Sequence, residues 1–162
     1  MGFPSTHGSR HALAACDLPR NIERAGLVDA FMAKIPNDYI DLLDKRVFWH
    51  IATIGPDDNL QSSPVWGGWD GKNFRFSLTK GRQKYENLIR NPTIAISGTD
   101  PDNSYRYLEI RGAVVSIDDD SSNAFIDSMA KKYMGLDEYP YHQPGDQRVV
   151  MVVEAVHTSQ MG

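Results

Sequence analysis

Three cations fall within five positions of one window, Ser77-Leu78-Thr79-Lys80-Gly81-Arg82-Gln83-Lys84, where Lys80, Arg82 and Lys84 follow the hydroxyls of Ser77 and Thr79. The residues before them alternate as a strand does, and those after them, through Asn87, keep helical spacing. A helix start presents unpaired backbone N–H groups and the positive end of its dipole, so cations and hydroxyls gathered there suit a phosphate ester. A solvated basic turn that caps a helix would use the same residues, and spacing alone weighs the two equally. A second window, Gln61-Ser62-Ser63-Pro64-Val65-Trp66, joins small hydroxyls, a proline without an N–H and an indole. Such residues can form a flat, partly polar wall for a planar ring, although an edge strand carrying a core tryptophan is the commoner reason for the pattern.

Other candidates carry less. His50 lies mid-strand and reads as a satisfied buried or half-buried histidine, while His7 and His11 fall in the leader; no metal site is assembled from them. Asp118, Asp119 and Asp120 read as a helix cap, and Glu109 and Arg111 share one strand face, where they pair with each other or across a subunit boundary. Tyr133, Tyr139, Tyr141 and His142 form an aromatic segment suited to covering a pocket or to packing a loop or dimer contact. No G-x-S-x-G elbow, Walker phosphate loop, G-x-G-x-x-G fingerprint or H-E-x-x-H pair is present, which removes most support from hydrolase and nucleoside-triphosphatase chemistry.

The elements that position these windows follow from periodicity. Residues 1–19 read as a mobile leader and 20–45 as two helices, over Asn21–Ala33 and then after Pro36 with Asn37 as cap. From residue 46 onward the pattern is that of a β domain. Val47–Ile54 and Leu60–Trp66 form a hairpin about Gly55–Asn59, GGWDGK turns the chain again about Asp70-Gly71, and NFRFSL places Phe74, Phe76 and Leu78 on one face. A short helix over Lys80–Asn91, with Tyr85, Leu88 and Ile89 at helical spacing, ends before Pro92. TIAISG, the polar loop DPDNS and YRYLEIRGAVVSI give two more strands, with a bend at Gly112. A helix over SSNAFIDSMAKKYMG and the strand RVVMVVEAVHT complete the pattern. The sum is too β-rich for a parallel α/β sheet and too interrupted for a regular sandwich, so a small antiparallel barrel with inserted helices is expected.

Composition bounds the rest. The 162 residues suit one domain, and 17 Lys plus Arg against 21 Asp plus Glu give a net charge of −4, without general attraction for nucleic acid or anionic membrane. One cysteine, Cys16, permits neither an intrachain disulfide nor a cysteine metal knuckle, and no apolar run approaches a membrane span; a cytoplasmic protein is expected.

In order and spacing, IATIGPDDNLQSSPVW, DGKNFRFSLTKGRQKYENLIRNP, DPDNSYRYLEIRGAVV and MAKKYMGLDEYPY resemble the pyridoxamine-phosphate-oxidase-like split-barrel flavin and deazaflavin reductases, from about Ile35 to Thr158. The last pair resembles the branch dependent on the deazaflavin coenzyme F-420 rather than on flavin mononucleotide (FMN). The resemblance implies a homodimer of six-stranded split barrels with cofactor sites between subunits. Arg82 and Lys84 would hold the cofactor phosphate, aided by Lys80, Thr79 and Ser77, while Ser62, Ser63, Pro64, Val65 and Trp66 would line the tricyclic ring. It further implies hydride transfer between that ring and an activated double bond of a small organic substrate, with Tyr133, Tyr141 or bound solvent as proton donor, and with an FMN-dependent oxidase or reductase and a non-catalytic cofactor or haem carrier as alternatives. The leading helices, the acidic Asp57-Asp58 turn and His50 depart from the common barrel.

Overall fold

A computed structural model describes residues 35–162. The leader, the first expected helix, Cys16, His7 and His11 lie outside the described residues. A 3₁₀ turn at Asn37–Tyr39 leads into helix α1 (Ile40–Asp44), which buries Leu42 and Leu43. Asn37 sits inside the turn and not at its cap, and no side chain caps either piece. Six strands follow: β1 (Phe48–Ile54), β2 (Leu60–Trp69), β3 (Phe74–Thr79), β4 (Thr93–Asp100), β5 (Asn103–Asp119) and β6 (Arg148–Met161). Helix α2 (Gln83–Arg90) joins β3 to β4, and helix α3 (Ala124–Met134) joins β5 to the loop before β6.

The strands close in the order β1-β2-β3-β6-β5-β4, every neighbouring pair antiparallel. Strict alternation on β3 explains the closure: Phe74, Phe76 and Leu78 point inward to Trp49, Ile51, Ile96, Ile110 and Met151, while Arg75, Ser77 and Thr79 are half-buried on the other face. The bend expected at Gly112 is present as a break in the β5–β6 register, where a Cβ would lie 2.0 Å from the Glu154 carbonyl oxygen.

The turn expected in GGWDGK, centred on Asp70-Gly71, is present, but the leading Gly67 and Gly68 stay in the strand. β2 continues through both glycines to Trp69, and the chain turns at Asp70–Asn73, where the Asp70 carboxylate accepts the N–H groups of Lys72 and Asn73. The reason is packing: a Cβ on Gly67 would stand 2.3 Å from Phe74 Cζ and 2.8 Å from Trp49 Cδ1, so only a bare backbone lets β2 cross those rings. β2 and β3 pair over just three positions, Gly67–Trp69 against Phe74–Phe76. Beyond them the strands diverge, leaving a split between Gln61–Trp66 on one side and Ser77–Thr79 on the other.

A charge clamp fixes α1 to the β4–β5 hairpin. Buried Asp100 accepts from Lys45 (2.9 Å) and Arg106 (2.6 Å), and Arg106 also meets Asp41 at 2.6 Å while stacking over the Tyr39 ring. Lys45, the Asp102 backbone N–H and Arg106 hold the Asp100 carboxyl well below the usual carboxylate range.

At the start of α3 the cap is Asp120, which accepts from the N–H groups of Phe125 (2.9 Å) and Ile126 (3.2 Å), while Asp119 accepts from Ser121. Among the described residues no helix is long and apolar enough to cross a membrane.

Candidate functional site

The split opens into a cleft of about 850 Å³. One side is Gln61, Ser63, Pro64, Val65 and Trp66 from β2; the other is Ser77, Leu78 and Thr79 from β3. The start of α2 (Arg82, Gln83, Lys84) lies at one boundary, and Tyr139, Tyr141 and Arg148 lie at another. The two sequence windows therefore face each other across one opening. Ser62 and Lys80 are placed elsewhere: Ser62 is exposed opposite Ala52 of β1, and Lys80 is aligned with the Asp119 charge, its N–H donating to Gln147.

Helix α2 owes its orientation to its inward face. Lys84, Asn87 and Leu88 are buried at i, i+3 and i+4, whereas Ile89, expected on that face, is 53% exposed. Asn87 Nδ2 donates to Thr53 Oγ1 (3.0 Å) and Gln61 Oε1 (3.3 Å), and Asn87 Oδ1 accepts from Gln83 (3.0 Å), which ties the helix start to β1 and β2. Lys84 is thereby carried into the cleft wall, only 7% exposed, with one long contact from Nζ to the Ser63 carbonyl at 3.4 Å. Burial, with the nearby Arg82 charge, lowers its pKa to about 8, and no carboxylate among the described residues offsets this.

The aromatic wall is fixed from behind. Tyr133 stacks on Trp66 at 5.2 Å, nearly parallel, and Phe48 packs on Tyr133. The Tyr133 hydroxyl donates to the Val47 carbonyl (2.6 Å) and accepts from the Gly67 N–H (3.1 Å), and burial raises its pKa. Tyr133 is thus placed behind the wall with its proton directed at backbone, outside the cleft lining. Tyr141 is placed at the cleft, 60% exposed. Tyr139 stands edge-on to Trp66, held by its N–H on Asp127 (2.8 Å).

Sequence reasoning missed Arg148. It opens β6 directly opposite Thr79, is 8% exposed and lies under the Tyr139 ring. Its signal was available: a lone arginine at the head of an apolar strand has nowhere to send its charge except the strand end. His50 is corrected to an exposed position between Pro64 and Ser97, outside the cleft lining. Glu109 and Arg111 pair within the chain at 3.4 Å. Among the described residues no group of acidic, histidine or cysteine side chains could hold a metal ion.

The cleft of this split barrel thus joins cations to an aromatic wall. The family model described as pyridoxamine 5'-phosphate oxidase matches residues 36–162, and the chain belongs to that family. Among solved structures, an F-420 reductase is 40% identical with a TM-score of 0.70, the match covering 77% of this chain and 98% of the other. A conserved hypothetical protein from Mycobacterium tuberculosis is 20% identical (TM-score 0.63, covering 82% and 87%), and General Stress Protein 26 from Bacillus anthracis is 15% identical (0.56, covering 75% and 89%); these two show the fold. A comparison with curated proteins finds no match. Family and F-420 reductase together support a flavin- or deazaflavin-related oxidoreductase.

Proposed function

We propose that the protein is an oxidoreductase that uses the deazaflavin coenzyme F-420 to move a hydride to or from an activated double bond of a small organic molecule. The observation that carries this is Lys84: a buried ammonium without a carboxylate, beside Arg82 at the boundary of a cleft that the Trp66 wall lines. Such a group costs stability unless an anion meets it, and its placement at a helix start suits a phosphate. The opening has the volume of a cofactor pocket. The F-420 reductase relative favours the deazaflavin over FMN.

The ring of the coenzyme supplies the hydride chemistry. This chain's own residues bind and orient: Lys84 and Arg82 hold the phosphate, with Thr79 and Ser77 as hydroxyl partners, and Ser63, Pro64, Val65 and Trp66 form the ring wall. Ser62 and Lys80 drop out of this site. Tyr141 stands where it could deliver a proton to product, as could solvent. Tyr139 and Trp66 exclude water from the wall. We further propose that the working unit is a homodimer in which a second copy completes the cleft.

Titrating the purified protein with F-420 and following the coenzyme's fluorescence tests the cofactor, and saturable binding is expected. A yellow protein that retains FMN and ignores F-420 would replace the deazaflavin by FMN. Reduced coenzyme that binds yet is never oxidised by a panel of enones and quinones would make the protein a carrier.

A further inference from the structure

We infer that Arg148 is a second anion anchor of the cleft, receiving an acidic group other than the one held at the start of α2, and that the Asp146 carboxylate holds its place. The inference rests on the cofactor reading above. Arg148 is more than nine-tenths buried and borders the cleft, yet its five donors are poorly used. Nε is buried without a hydrogen-bond partner, Nη1 reaches Ser77 Oγ at a long 3.4 Å, and Nη2 lies 3.6 Å from Asp146, beyond hydrogen-bond range. If Arg148 served only to prop the Tyr139 ring at 5.0 Å, a neutral side chain would do so without desolvating a charge.

Position separates this anchor from the first. Lys84 contacts Ser63 on β2, whereas Arg148 stands on β6 opposite Thr79, with β3 between those strands. The lining holds Arg82, Lys84 and Arg148 and no carboxylate, more positive charge than one phosphate needs. The Asp146 carboxylate also accepts the Gln143 N–H (3.2 Å), in a turn closed by its own N–H on the Gln143 carbonyl (3.1 Å), so it keeps a hydrogen bond when it gives up Arg148. A carboxylate or phosphate on the bound molecule can approach the guanidinium side-on with two hydrogen bonds, which Asp146 does not make.

The second acid has two sources: the glutamyl tail of F-420, or an acid group on the substrate. Binding of F-420 and of its form lacking the glutamyl residues is measured for the unmodified protein, Arg148→Gln and Asp146→Asn. If the tail is the source, Arg148→Gln weakens the tailed form by about 10-fold more than the tailless one. Asp146→Asn, which removes the competing carboxylate, tightens the tailed form alone. If both forms respond alike, KM is compared, at saturating coenzyme, for an enone carboxylic acid and its methyl ester; a rise for the acid alone in Arg148→Gln assigns the anchor to substrate. No selective change in either arm overturns the second anchor while the cofactor reading stands. Should the unmodified protein bind neither form of F-420 nor FMN, the cofactor reading falls and this inference with it. Asp146→Asn keeps the test decisive if Arg148→Gln does not fold.

Discussion

Where α1 meets the β4–β5 hairpin, Lys45 and Arg106 are matched by Asp41, Asp100 and Asp102; along the cleft, no carboxylate lines the wall with Arg82, Lys84 and Arg148, and Arg148 alone has one nearby, Asp146 at 3.6 Å. Both regions gather cations on a small acidic chain. The clamp satisfies its charges internally, so removing one member strands the others. The cleft leaves its buried charge unsatisfied, so removing Lys84 relieves the folded chain and deprives only a ligand. Paired charge here holds the fold, and unpaired charge waits for chemistry.

Substitutions can break that contrast. Lys84→Ala is expected to weaken coenzyme binding by about 1.5–3 kcal/mol, roughly 10- to 100-fold, in a calorimetric titration. Unchanged affinity would remove the anchor assignment. Lys84→Met should stabilise the protein by about 1–2 kcal/mol in chemical denaturation, since a partly screened charge leaves the wall. Lys45→Met should do the reverse, lowering the melting temperature with coenzyme affinity intact. Equal signs for the two lysines would refute the distinction.

Titration sharpens it. Lys84 has a pKa near 8 when folded and an ordinary 10.5 when unfolded, so the unfolded chain binds more protons between those values. Stability from this site therefore rises as pH goes from 8 to 10.5, a rise that Lys84→Met abolishes. Over the same range the lysine loses its charge, and anion affinity should fall by at most about tenfold per pH unit above 8. Asp100 also loses stability as pH falls, but here the ionised form is the stabilising one: the clamp's contribution is complete above the usual carboxylate range and is lost as pH falls from there through the folded value. Acid unfolding of Asp100→Asn should lack that component. The smallest effect belongs to Arg111→Ala, whose exposed pair with Glu109 should change stability by less than about 0.5 kcal/mol.

Much of this was legible because it is local. Alternation at Phe74, Phe76 and Leu78 declares a half-buried strand, the Asp120 region a helix start, and Gly112 a bend, each within a few residues of its cause. The cations and the tryptophan window could likewise be assigned to a strand end and a strand. What stayed hidden depends on partners distant in sequence. The second strand reads as ending at Trp66 until Phe74 and Trp49 are seen to need the space at Gly67. Ile89 reads as core until polar Lys84 and Asn87 prove to face the barrel. Arg148 enters the cleft only because β6 pairs with β3.

Gly67 also shapes what variation this wall can tolerate. Its carbonyl accepts Lys132 Nζ at 3.0 Å, its N–H donates to Tyr133 Oη at 3.1 Å, and its missing side chain is the space two core rings occupy. The backbone beside Trp66 is therefore held independently of the indole's own stacking on Tyr133. A library that diversifies residues 63–66 can search for new ligands on an intact frame, whereas one that reaches residue 67 will sample mostly unfolded chains.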